Sequence, residues 1–234
     1  MCDIQSWICR LLTPDWLTAI GTVGACVIAL FLALFGKRLE HWMDHPVLSL
    51  EAVVRRPDAE RTQRWQSLIS GATMNIGEAW FFRLAIKNSG NASAREVQVF
   101  LRKVERVDES VTPSEVERFS PMNLKWTHSG KPTRDILLPE IPVFCDFIHV
   151  GDPPSRQVSG EDLNVAADLG ILCLDVEVPT SGRGHLLEPG TYRFHLSLVA
   201  ENFKQRPYTV EVEYSGLWSP DQDRMFTGFK MKKL

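Results

Sequence analysis

Residues 16–35, WLTAIGTVGACVIALFLALF, run without a charged residue or a proline, and Thr18 and Thr22 are their only strongly polar groups. At 1.5 Å per residue, a helix over this run measures about 30 Å, the thickness of a bilayer's hydrocarbon core. Leu, Ile, Val and Phe lie on every side of such a helix, whereas core helices of soluble proteins are usually shorter and amphipathic. The preceding segment carries Asp3, Arg10 and Asp15. It therefore lacks the positive start of a cleaved signal sequence, and the bulky Phe35 makes a poor cleavage point. The run reads as a retained transmembrane helix over 16–36. A short N-terminal segment (1–15) precedes it, a juxtamembrane helix or linker (37–46) follows, and 47–234 form the remaining domain.

Lys37 and Arg38 directly follow the span, with Arg55 and Arg56 further on, while only Arg10 precedes it. Positive residues stay on the cytoplasmic side, so the reading is a single-pass plasma (inner) membrane protein with a cytoplasmic C-terminal domain. Trp7, Trp16 and Trp42 fit interfacial aromatic belts. Within the span Gly21, Ala25, Ala29 and Ala33 recur every four residues. They place small side chains in one stripe where a second helix can approach, which makes a homo-oligomer an expectation.

After Pro46 the chain changes character. Apolar residues alternate with polar ones over 47–54, 78–88, 94–107, 142–150, 170–178, 192–198 and 208–214, with weaker strand signals at 122–126 and 135–138. Runs such as Asn88-Ser89-Gly90-Asn91 and Glu188-Pro189-Gly190 punctuate them. Roughly seven to nine short alternating strands without an intervening amphipathic helix predict a mainly β fold, an antiparallel β-sandwich. Residues 55–77 show no clean strand period and read as a long loop with room for a short helix at 59–70. A short helical turn is expected at 113–119, loop at 151–154, and a solvated tail over 230–234, whose basic and apolar residues would otherwise touch lipid head groups.

Two stretches, FFRLAIKNSGNASAREVQVFL and LLEPGTYRFHLSLVAEN, resemble the strand–turn–strand and the Pro-Gly-x-Tyr strand opening of bacterial immunoglobulin-like, CARDB-type modules. The arrangement of Trp16 through Gly21-Thr22, one sandwich, and Gly216-Leu217-Trp218 near the C-terminus also resembles bacterial single-pass inner-membrane proteins of this build. The resemblance implies an immunoglobulin-like fold and a membrane location. It implies no activity, since such folds host binding of many kinds.

The chemistry-bearing motifs are few. Net charge is −3, with pI near 6.1, so no basic field recruits nucleic acid. Ser181-Gly182-Arg183-Gly184 lacks the Lys-Ser/Thr ending of a phosphate loop, and there is no Gly-x-Ser-x-Gly elbow. His41 and His45 have the helical spacing of a metal pair, but a third ligand is not evident. Cys145, Asp146 and His149 suggest a thiol with a base, yet four residues along a strand separate them by about 13 Å. No catalytic, cofactor-binding or metal-ligating residue is assigned. Of five cysteines, Cys2, Cys9, Cys26, Cys145 and Cys173, none forms a C-x-x-C pair. Cys145 and Cys173 read as buried thiols, and a disulfide between them across two sheets would instead imply the opposite orientation. Trp65, Trp126 and Trp218 mark either a contact surface or the core. These readings converge on a non-enzymatic protein-interaction module that binds a protein partner at the bilayer. The alternative is a membrane effector or sensor of a bacterial stress or phage-defence system that assembles through its helix.

Overall fold

The computed structural model describes residues 14–43, 45–67, 71–107 and 112–234, with the side chains of 14–17, 37–43 and 66–67 outside that description. The chain divides into two units at Asp44 and His45. The first holds α1 (Pro14–Met43). Its stretch Thr18–Gly36 is long and apolar enough to cross a membrane, and none of it is buried.

The second unit is built from two antiparallel sheets. One contains β1 (Leu48–Glu51), β2 (Ala59–Ser67), β3 (Thr73–Asn88), β7 (Lys125–Trp126), β9 (Val143–Gly151), β10 (Leu172–Leu174) and β11 (Leu186–Leu187). The other contains β4 (Ala94–Arg106), β5 (Ser114–Glu115), β6 (Met122–Asn123), β8 (Thr133–Leu137), β12 (Gly190–Ala200), β13 (Phe203–Tyr214) and β14 (Phe229–Lys233). The first runs β1-β3-β9-β10-β11 and the second β14-β13-β12-β4-β5. The central strands β1-β3-β9 and β13-β12-β4 have the A-B-E against G-F-C order of the immunoglobulin sandwich. Tyr192, opening β12, donates its hydroxyl to the Glu188 carbonyl at 3.0 Å, the tyrosine corner of that fold.

Alternation in the sequence becomes the core. Phe82, Leu84 and Ile86 of β3 are fully buried, as are Val97, Val99 and Leu101 of β4 and Phe194, Leu196 and Leu198 of β12. Each such side chain contributes about 1.5–3 kcal/mol. Phe147 meets Phe194 edge-on at 4.9 Å, and Phe82 stacks on Phe229 at 3.5 Å. Trp126 is core, its indole N–H donating to Val97 O at 3.2 Å, and Trp218 is partly buried against the same core. Trp65 is 60% exposed.

Four expectations are corrected. Residues 59–67 form β2, not loop or helix, paired with an extension of β3 that starts at Thr73. The ladder with β3 makes it a strand. Its period is hidden because Glu60, Arg61, Thr62 and Gln63 are exposed on both faces. The 113–119 turn contains β5 instead of a helix. Pro153–Ser155 form a 3-10 turn leading into α2 (Arg156–Ser159), as proline at a first helical turn allows. The C-terminus is not a solvated tail. After α3 (Gln222–Gly228), capped by Asp221 Oδ1 accepting from Arg224 N at 3.0 Å, β14 pairs with β13. Phe229 and Met231 are buried, Lys230 and Lys232 face Glu213 and Glu211, and Lys233 Nζ donates to Leu50 O.

Candidate functional site

A bulge in β9 prepares the site. Ile148 pairs with Phe82 and Asp146 with Arg83, leaving Phe147 as the extra residue. Phe147 and Ile148 both enter the main core, and the next residue, His149, takes the opposite face of the sheet. Cys173 of β10 is its direct cross-strand partner. Leu172 and Leu174 point into the main core, while Cys173 packs with Ile171 and Leu186 in a small second cluster. Asp175, two residues on, shares the face of Cys173.

Three further segments close over this face. Gly160, at φ 75°, ends α2 in a left-handed conformation that glycine adopts without strain, and Glu161 follows it. Ser159 Oγ donates to Glu161 Oε2 at 3.1 Å. From β2, the Arg64 guanidinium meets Glu161 with two nitrogens on two oxygens at 2.5 Å. Phe81 of β3 stacks on the His149 ring at 5.2 Å and 28°.

His149 stands between two carboxylates. Its Nδ1 lies 3.0 Å from Asp175 Oδ1 and its Nε2 3.2 Å from Glu161 Oε1. Its side chain is 9% exposed. Burial by itself drives an imidazolium toward neutrality; the polar neighbours, Asp175 foremost, together outweigh it, and the His149 proton is held well above the ordinary range. Burial likewise pushes Glu161 up, but the hydrogen bonds from His149 and Arg64 reverse this and hold it far below the usual carboxylate range. Burial raises the Cys173 thiol, which stays protonated at neutral pH. Arg64 and His149 thus face Glu161 and Asp175 in a nearly closed space. His149, Glu161 and Cys173 bring one imidazole nitrogen, one carboxylate oxygen and one thiol sulfur within 4.8 Å of one another.

The motifs singled out in the sequence fall elsewhere. Cys145 faces the main core and its thiol donates to Lys125 O at 3.2 Å, so the Cys145, Asp146 and His149 set never assembles. Cys145 and Cys173 are free thiols on opposite faces of one sheet, not partners across two. Their state therefore carries no information on orientation. Trp7 and the side chains of Trp16, His41 and Trp42 lie outside the described residues. Gly21, Ala25, Ala29 and Ala33 are exposed along α1. The Ser181–Gly184 loop lines a groove of about 580 Å³ with Arg106, Arg118 and Glu188. There Arg183 donates to Asp162 O at 2.9 Å, and Arg106 faces Glu188 at 3.6 Å. Sequence reading missed Arg64 and Glu161 altogether; the one signal available was the shared face of Cys173 and Asp175.

Comparison with protein-family models, curated proteins and solved structures finds no match.

Proposed function

We propose that this chain is a single-pass inner-membrane protein whose C-terminal sandwich works in the cytoplasm as a non-enzymatic protein-interaction module. The observation that carries the reading is the wholly unburied stretch Thr18–Gly36, long and apolar enough to cross a bilayer, in a chain that continues into a folded domain at His45. Binding in preference to catalysis is supported by the candidate site. Both ring nitrogens of His149 are taken by carboxylates, and Cys173 is 2% exposed. The surface suited to a partner is β2, which pairs on one side only among the described residues and presents the exposed Trp65. An extended partner segment adds to such an edge through main-chain hydrogen bonds, with an aromatic anchor supplying affinity.

The test is paired. Reporter fusions at the C-terminus, one active only inside and one only outside, are expected to report the cytoplasm. A photo-crosslinking residue replacing Trp65 is expected to give a discrete adduct in cells, absent when the same residue replaces the equally exposed Val178. Activity of the outside reporter alone overturns the sidedness. Identical adduct patterns at the two positions overturn the assigned surface.

The second reading is a membrane effector or sensor of a bacterial stress or phage-defence system that assembles through α1. It is favoured by the exposed stripe of Gly21, Ala25, Ala29 and Ala33.

A further inference from the structure

We propose that His149, Glu161 and Cys173 bind one borderline-soft divalent transition-metal ion of the zinc class. The argument starts from the donors. An imidazole nitrogen, a thiol sulfur and a carboxylate oxygen from three separate segments lie within 4.8 Å of one another. Around one zinc ion such donors sit at roughly 2.0–2.3 Å, so neighbouring donors end up about 3–4 Å apart. Small side-chain rotations close the difference. A thiol and an imidazole together select against magnesium and calcium, which take oxygen ligands, and for zinc, cobalt or nickel.

The surroundings are those of a ligand set held in place. Asp175 sits on Nδ1 of His149 at 3.0 Å, and a carboxylate on one ring nitrogen fixes the other for a metal. Nε2 is thereby aimed at Glu161. Arg64 and Ser159 brace the Glu161 carboxylate. Asp175 Oδ2 is buried without a hydrogen-bond partner, and such an atom calls for an explanation. When M²⁺ enters, Nε2 of His149, Sγ of Cys173 and a Glu161 oxygen each form a bond to the ion, and the thiol proton, with any proton on Nε2, leaves to solvent. With three protein ligands nearly closed off from solvent, the ion would brace the face built by β9, β10 and the segment after α2. The inference does not depend on the sidedness of the domain or on its partner.

The test uses the full-length chain in detergent micelles, with Cys2, Cys9 and Cys26 changed to Ser and metal removed by a chelator. Cobalt(II) is the probe. Binding of one ion per chain is expected, with a thiolate-to-cobalt charge-transfer band that zinc abolishes. Cys173→Ser is expected to remove the band and His149→Gln to weaken binding at least 100-fold. Asp175→Asn, which alters positioning only, is expected to weaken it about 10-fold or more while the band remains. Cys145→Ser, in the other core, is expected to change nothing. Where Cys173→Ser or His149→Gln fails to retain the sheet circular dichroism of the parent in chelator, Glu161→Gln replaces it, with a loss of at least 10-fold expected. No cobalt uptake at micromolar concentration, a band that survives Cys173→Ser, or affinity unchanged by Glu161→Gln overturns the proposal.

Discussion

Asn88 is fully buried and uses every hydrogen-bonding group it has. Its Oδ1 accepts from Val47 N at 3.1 Å and Gly90 N at 3.0 Å, and its Nδ2 donates to Ala92 O at 2.8 Å and Leu137 O at 3.3 Å. Beside it, a Cβ on Gly90 would sit 2.6 Å from Val47 N and 2.8 Å from Pro46 Cα, too close for any side chain. Asn88→Ala strands four backbone groups at once. A loss of about 3 kcal/mol is expected, read as a lower urea midpoint at unchanged slope. At this scale the sequence was informative about turns and faces. Asn88 to Asn91 reads as a turn, and the alternation of Ile171, Cys173 and Asp175 puts them on one face. It was silent on what Asn88 binds and on which residue lies opposite Cys173. Both depend on pairing between strands distant in the chain, and the Phe147 bulge shifts that register by one, reversing the face on which His149 emerges.

Among the elements, β12 and β14 are held by contacts that can be tested separately. The hydroxyl of Tyr192 ties the opening of β12 to Glu188 O while its ring is core. Tyr192→Phe keeps the ring and loses the bond, so a cost of about 1 kcal/mol is expected, measured by denaturant unfolding. β14 is fastened to β13 partly by Glu211, which accepts from Arg193 Nε at 2.9 Å and faces Lys232 Nζ at 2.8 Å. Hydrogen bonds from Lys232 and then Arg193 hold its carboxyl below the ordinary 4.5. A depressed folded-state pKa stabilises above the unfolded value and is lost as pH falls through the folded one. Backbone amides of β14 are therefore expected to lose exchange protection below about pH 4.5, ahead of the core strands, and Glu211→Gln to remove that step. Strands with one buried face were legible in advance. β2 and β14 were not: the first buries too little apolar surface on either face to impose a period, and the basic residues of the second suggested solvent when glutamates of β13 receive them.

At the level of the molecule, the apolar span and the sandwich were both readable, because each rests on many residues repeating one period. The candidate site was not, since it gathers residues from β2, β9, the segment after α2 and β10. The span also makes a prediction of its own. If α1 packs against a second copy along Gly21, Ala25, Ala29 and Ala33, then replacing Gly21, Ala25 and Ala29 by Ile removes the close approach. Energy transfer between labelled chains in liposomes is expected to fall, with at least a 10-fold weaker association, about 1.4 kcal/mol. Unchanged transfer would take helix packing out of the alternative reading.

The lysines of β14 have one more effect. Chains confined to a membrane sheet meet far more often than the same number in free solution, and an open sheet edge invites fibril-like stacking. Lys230, Lys232 and Lys233 line the outermost strand of its sheet, and like charges repel when two such edges approach. If the span holds this protein in a bilayer, crowded copies can therefore encounter one another without zipping up along that border.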